Sequence, residues 1–325
     1  MKILFYSGCW PTNIGNAFID YSSIYTIKTA VPTAKVYFGS ELARWFFKAN
    51  RRNVNKSVDL AELMEVDYLV ISGMVLCDEF IELEGPIIKK LSDRGVKIVL
   101  NGCGGATYTQ MEVNNFKKFL EGINIVGFIS RDETTYKNFK VSFPKSFNGM
   151  DCAFFLSDAF SPAPLRIDDY VVYNFDQMEV SYIEENNKRI IRTHHSCSKF
   201  FPDTIRNRGI TLNINTIWPF LKIVKYENND RYFKHKDTLI SDIPDDYLNL
   251  YANAYAVYTD RVHACIAALS FGNSARLYSN TPRASVFDVQ GVGEIRKKLV
   301  KLNQDKINKK KEKQILFLRE ILEPQ

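Results

Sequence analysis

The richest concentration of reactive side chains lies in residues 253–272, NAYAVYTDRVHACIAALSFG. A short apolar run leads into Thr259 and Asp260, both residue types that cap helices, and then into a helix of small apolar residues. Arg261 and His263 therefore fall in the first turn. A helix N-terminus offers unpaired N–H groups and partial positive charge, so it attracts anions. Arg261 adds positive charge at the positive end, a conflict that a bound phosphate or carboxylate relieves. The plainer reading is that Arg261 pairs with Asp260 or another acid and that His263 is a hydrogen-bonded structural histidine. A second cluster, His194-His195-Ser196-Cys197, lacks partner ligands at finger-like spacing, and neighbouring residues of a strand face opposite ways, so no metal site is expected there.

The elements that must position these residues are legible as alternating runs. Nearly all-apolar strand candidates at 2–6, 35–38, 68–71, 97–100 and 124–129 each end in a Ser, Gly or Asn turn. Helical stretches fall between or after them at 17–30, 42–48, 78–91, 111–120 and 132–139. Apolar strands separated by helices indicate a parallel sheet covered on both faces. After a proline-bearing break at 161–166 the pattern restarts, with strands at 170–173, 189–192, 221–226, 256–259 and 275–278 and helices at 245–254 and 262–271. The expectation is an α/β chain of two Rossmann-type domains, residues 1–163 and 164–292, facing across a cleft, followed by a basic helical tail, 293–325. In such sheets ligands sit beyond the carboxyl ends of the strands.

Composition narrows the classes. Hydrophobic residues make up 46% and charged residues 25% of the 325, the balance of a globular enzyme. The net charge of +6 owes much to the tail from Arg296 to Lys313, and no base-reading motif accompanies it, which argues against a nucleic-acid surface. The opening apolar run breaks at Ser7-Gly8 and Pro11, too short for a secretory signal core. No other apolar stretch approaches the ~20 residues of a membrane span. Six cysteines, at 9, 77, 103, 152, 197 and 265, form no CxxC pair and read as reduced, buried thiols. A cytoplasmic protein is expected.

The stretch Thr259-Asp260-Arg261-Val262-His263-Ala264, running through a small-residue helix to Gly272, resembles the late signature of the polysaccharide pyruvyl transferase family. Other segments match in order. Thr12-Asn13-Ile14-Gly15-Asn16-Ala17 looks like the family's N-x-G-D loop, and Ser72-Gly73-Met74-Val75-Leu76 stands at its glycine-rich turn. Ser130-Arg131-Asp132 resembles its S-R-D element and Asp151-Cys152-Ala153-Phe154 its D-x-A-F stretch. The resemblance covers residues 1 to about 290, with the R-x-H-A and S-R-D elements the specific ones.

The resemblance implies a GT-B-like fold, phosphoenolpyruvate as donor, and a sugar or lipid-linked oligosaccharide acceptor whose hydroxyl pair becomes a pyruvate ketal. It implies no further cofactor, with the acceptor on the N-terminal side and the donor on the C-terminal side. Phosphoenolpyruvate carries a phosphate and a carboxylate, for which arginine's planar fork is suited. Arg131, Arg261 and Arg283 are the candidates, with Arg131 also stabilising developing charge. His263 is the candidate general acid toward the enol carbon. Asn13, Gly15, Asn16, Ser72 and Gly73 are the candidate substrate-binding residues, and Asp151 either caps a turn or lines the cleft. The chain departs from the pattern at Asn16, where the family has Asp, and at Met74, where a glycine is expected. Asp20, one helical turn beyond Asn16, either substitutes in part or faces solvent. The lysine-rich tail is an amphipathic helix packed on the body or, in a second reading, a peripheral contact with anionic lipid at the inner membrane face. The rival functions are a GT-B-type glycosyltransferase using a nucleotide-sugar donor and a non-catalytic glycan- or nucleotide-binding relative.

Overall fold

The computed structural model describes residues 1–8, 10, 13–40, 58–167, 169–178, 188–195 and 235–323. The expected helix at 42–48 and strand at 221–226 lie outside the described residues. The first unit carries β1 (Lys2–Ser7), α1 (Gly15–Ala30), β2 (Lys35–Ser40), α2 (Leu60–Leu63), β3 (Tyr68–Met74), α3 (Asp78–Asp93), β4 (Lys97–Gly104), α4 (Gln110–Leu120), β5 (Ile125–Ser130), α5 (Glu133–Phe139), β6 (Ser146–Asn148) and α6 (Leu156–Ala159). The second carries β7 (Tyr170–Asn174), β8 (Arg189–Thr193), β9 (Thr238–Leu239), α7 (Pro244–Asn253), β10 (Ala256–Thr259), α8 (Val262–Ser270), β11 (Ser274–Leu277) and α9 (Ser285–Asp288). The chain ends in α10 (Gln304–Leu322).

Every strand pairing within the sheets is parallel, in the orders β2-β1-β3-β4-β5-β6 and β11-β10-β7-β8-β9. Strands covered on both faces must be apolar throughout, which is why β7 and β10 are buried at every position and β1 at all but its first. Strand order reverses between β1 and β3 in the first sheet and between β7 and β10 in the second. A crevice opens at each such reversal, beyond the strand ends. The fold is thus the pair of parallel-sheet domains that the alternating runs foretold, in the GT-B-like arrangement that the family resemblance implies.

One core spans both units. Ile14, Ala17, Phe18 and Ile19 of α1 pack with the 150–156 segment and with α7 and α8. The tail does not stand apart either. Leu318, Ile321 and Leu322 of α10 bury against Ile3, Phe5, Val70, Val99 and Ile129 of the first sheet. Gln314, also on α10, accepts from the Met150 amide at 2.8 Å and donates to the Met150 carbonyl at 3.3 Å. The tail's apolar side is therefore spent on the protein's own core. No helix among the described residues is long and apolar enough to cross a membrane.

Leu318 is fully buried, so Leu318→Ala leaves a cavity beneath the first sheet. The expected loss is about 2–5 kcal/mol in urea unfolding.

Candidate active site

The two strand-order reversals meet at a cleft of about 200 Å³. From the first unit it is lined by Gly8 at the end of β1, by Asn13, Asn16, Ile19 and Asp20 along α1, and by Ser72, Gly73, Met74 and Val75 at the end of β3. Arg131 follows β5, and the second unit supplies His263 and Arg283. Seven of the nine sequence-predicted site residues line this one cleft. The other two are Gly15, at its edge, and Arg261.

His263 sits in the first turn of α8, as its spacing after β10 predicts. Its side chain is 13% exposed, and Nε2 lies 3.6 Å from Oδ2 of Asp151. That is ion-pair distance without a direct hydrogen bond. The same oxygen lies 3.8 Å from a terminal nitrogen of Arg131. Asp151 is fully buried; burial opposes its ionisation, but the adjoining His263 and Arg131 outweigh that and hold its carboxyl below the usual range. Asp151 Oδ1 meanwhile accepts from the Ala153 amide at 3.0 Å. The two readings of Asp151, turn cap and cleft residue, are both realised, one by each oxygen.

Arg131 is 2% exposed, and its guanidinium donates to the Gly105 carbonyl at 2.8 Å while Nε lies 3.8 Å from Asp132. Burial works against its charge, but Tyr108, Asp151 and Asp132 overcome this and push its pKa up, so it is a permanent cation. Its stem lies flat on the backbone of Gly104, where a Cβ would collide with Nε. Asp132 caps α5 through the Thr135 amide, at 2.8 Å.

Arg261 follows the plainer of its two readings, pairing with an acid. Its Nε lies 2.7 Å from Asp176, just beyond the end of β7, and 3.9 Å from Asp260, and it does not line the main cleft. It borders a small adjoining pocket with His195, Gln177 and Asn13. An acid 85 residues earlier in the chain has taken the charge that a ligand was expected to meet. Asp260 does not cap α8 either. It accepts from the amides of Asp176, Gln177 and Met178 at 2.6 to 3.2 Å, while the Thr259 hydroxyl takes the Arg261 amide at 2.8 Å. The N-cap of α8 is Arg261 itself, with no side-chain hydrogen bond closing the turn. His194 Nδ1 lies 3.1 Å from Asp176, and His195 Nε2 lies 2.6 Å from the Tyr251 hydroxyl. Burial pushes the His195 pKa down to about 3, so that ring is neutral at physiological pH.

Arg283 occupies the turn Pro282–Ala284, where Thr281 holds its Nε at 3.2 Å. A terminal nitrogen lies 3.8 Å from the sulfur of Met74. No carboxylate pairs with it among the described residues. Burial, then the fields of Arg131 and Arg261, lower its pKa. Gly73 takes a left-handed φ of +93°, which its lack of a side chain permits and which turns the β3 end toward the cleft. Ser72 accepts from the Ser23 hydroxyl of α1 at 2.8 Å. Asn13 accepts from the Gly15 amide at 3.2 Å and donates to Asn16 at 3.3 Å, organising the start of α1. Gly15 lets that start approach His263, with an added Cβ only 3.1 Å from the histidine's own.

Asp20 faces the cleft rather than solvent. It is 3% exposed, and Ser7 Oγ, the Gly8 amide and Trp10 Nε1 all donate to Oδ2, at 2.7, 3.1 and 2.6 Å. Burial outweighs these three donors and raises its pKa to about 7. Spacing alone could place it one turn from Asn16 on α1, but not tell whether that face was covered.

A cationic, histidine-bearing cleft between opposed strand-order reversals defines a two-domain, GT-B-like α/β protein. The chain belongs to the polysaccharide pyruvyl transferase family, whose model matches residues 13–281. No curated protein matches it. Among solved structures it is similar to S. aureus MnaA in a co-structure with UDP, at 12% identity and a TM-score of 0.54, covering 98% of this chain and 91% of that one. It is also similar to a Listeria monocytogenes protein described as a UDP-N-acetylglucosamine 2-epimerase, at 12% identity and a TM-score of 0.51, covering 100% and 88%. At such identity these likenesses concern the fold alone.

Two stability tests follow from this geometry. Gly104→Ala drives Arg131 from its buried partners, and a loss of about 3 kcal/mol or more is expected in urea unfolding. For Asp20 the pKa is raised from 3.8 to about 7, so across that window the folded chain holds a proton that the unfolded chain has lost. Its contribution to stability is full below the unfolded value and falls as pH rises through about 7. Asp20→Asn removes this titration. Relative to wild type, the variant gains on the order of 4 kcal/mol between about pH 3 and about pH 8, at about 1.4 kcal/mol per unit. A pH-independent difference between the two unfolding curves would contradict the assignment.

Proposed function

We propose that the cleft transfers the pyruvyl group of phosphoenolpyruvate to a hydroxyl pair on a sugar of a cell-surface polysaccharide precursor, forming a pyruvate ketal and free phosphate. The observation that carries this reading is Arg283, a half-buried guanidinium with no carboxylate partner among the described residues, beside Arg131 and the imidazole of His263. Arg131 and Arg283 are suited to the donor's two anionic groups, and the uncapped first turn of α8 adds N–H groups and dipole to the same end. Arg261 has a different part. Neutralised by Asp176, it braces the loop after β7 against the start of α8.

The chemistry begins with a proton given to the enol methylene. The π pair forms the new C–H bond, and the adjacent carbon becomes electrophilic toward a hydroxyl. His263 is the donor in this reading, with Asp151 orienting the ring through Nε2 and offsetting the charge of its protonated form. Nδ1 is then left to face the substrate. Such general acid catalysis contributes ~10²–10⁴-fold. Arg131, held by the Gly105 carbonyl and by the buried Asp132 and Asp151, answers charge that develops on the donor without having to reorganise.

Phosphoenolpyruvate is expected to raise the melting temperature by mass action, by about 2.7 kcal/mol of stability at a hundredfold excess over its Kd. His263→Gln is expected to keep that shift and to lose phosphate release by about 10²-fold or more. Stabilisation by UDP with indifference to phosphoenolpyruvate would turn the assignment toward the nucleotide-sugar alternative. Full activity in the glutamine variant would remove His263 from the chemistry.

A further inference from the structure

The transfer just proposed needs a second proton movement, because each attacking hydroxyl must shed its hydrogen. His263 begins the reaction as a donor and cannot receive the first of these. Asp151 is tied to His263 and Arg131, and its carboxyl is held low, which makes it a poor proton acceptor. Cys77 lines the cleft, but burial pushes its thiol up. Glu79 and Glu84 line it as well, and both carry other interactions.

Asp20 differs from all of these. Among the described residues, Ser7, Gly8 and Trp10 fix its orientation through one oxygen only, Oδ2, so these three contacts leave Oδ1 uncommitted. Ile19 and Phe80 share its lining, and burial is the main cause of its raised pKa. Asn16, on the same helix one turn earlier, is also in the lining but is an amide and takes up no proton. A carboxylate that is aimed, desolvated and raised to about 7 sits near the pH at which a general base works best. It does so at a cost in stability, the usual mark of a group kept for chemistry rather than for packing.

Resting on the pyruvyl-transfer reading, we propose that Asp20 is the catalytic base that takes the proton of the acceptor hydroxyl attacking the enol-derived carbon. His263 gives its proton to the methylene carbon while the first hydroxyl oxygen bonds to the neighbouring carbon and its proton passes to Asp20. The second hydroxyl then bonds to that carbon as the carbon–oxygen bond to phosphate breaks. The phosphate leaves with the electron pair, the second hydroxyl's proton returns to His263, and the proton on Asp20 departs with hydrogen phosphate. Both groups are restored; the methyl group has gained a hydrogen from His263, which the second hydroxyl replaces, and the phosphate has taken the first hydroxyl's.

The test measures phosphate release from phosphoenolpyruvate, with p-nitrophenyl glycosides of galactose, glucose, mannose and N-acetylmannosamine as acceptors, alongside the melting shift that phosphoenolpyruvate induces. Asp20→Asn keeps all three donors' acceptor and is expected to fold. Its turnover is expected to fall by about 10²-fold or more, with the melting shift unchanged. Sodium formate is expected to restore part of the turnover of Asp20→Ala, which a merely structural aspartate would not allow. Asp20→Asn turnover within about threefold of wild type would overturn the proposal, as would an Asp20→Ala turnover that formate leaves unchanged. Should wild type show neither the melting shift nor release on any glycoside, the pyruvyl-transfer reading itself fails first.

Discussion

The site depends on one carboxylate shared between an imidazole and a guanidinium. Asp151 comes from the end of the first sheet, His263 from the second unit and Arg131 from the strand beside it. None of the three is tolerable alone at its depth. An isolated buried carboxylate or guanidinium would cost several kcal/mol, and each is here the other's compensation. The triangle therefore fixes how the two units stand at the cleft as much as it fixes charge. Behind it, Gln314 of the last helix grips both polar groups of Met150, so that the residue preceding Asp151 cannot drift. A helix far from the cleft in sequence thus sets the position of the carboxylate that orients the ring, the role that outer hydrogen bonds play around metal ligands.

The arginines divide by what neutralises them. Arg131 is surrounded by acids and carbonyls and is held rigid. Arg261 is matched closely by Asp176. Arg283 has neither among the described residues, and burial together with its neighbours' positive fields makes its charge costly. A dianionic ligand would relieve that cost more at Arg283 than at Arg261, where it would have to compete with a carboxylate 2.7 Å away. Counting arginines near a helix start overstates the positive charge free for binding; subtracting the paired ones gives the better measure.

Much of the architecture was readable in the chain because parallel strands buried on both faces are nearly continuous apolar runs, and their Ser and Gly terminations mark where a site can open. β1, β3, β7 and β10 announce themselves in this way. Short edge strands do not: β6 has three residues and β9 two, too few for any periodicity. The site divides along the same line. His263 is legible from the helix start that follows β10, whereas Arg131, Arg283, Asn13, Asn16, Ser72 and Gly73 stand out through the resemblance to the family's motifs. The pairing of Arg261 with Asp176, and the turn of Asp260 away from its own helix, depend on which loop lies across the β7–β10 reversal. No local spacing encodes that. Asp151 carried a signal as the residue before a turn of apolar aromatics, but its second oxygen's partners come from other elements.

Asp20 and Asn16 sharpen this point. Both lie on one side of α1 and both reach the cleft, yet only burial distinguishes a carboxylate that titrates near neutrality from one that merely solvates a surface. α1 is covered by the first sheet on one side and by the second unit on others, so its buried set includes Ser22, Ser23 and Thr26 as well as apolar residues. Such a helix has no clean polar face for a sequence pattern to report. The result is a cleft with two electrostatic characters, cationic where the second unit meets β5 and acidic along α1. The transfer proposed for it, which moves one proton onto carbon and another off oxygen, needs both characters within one enclosure. Keeping them apart on separate elements is what prevents the carboxylate and the arginines from simply neutralising each other.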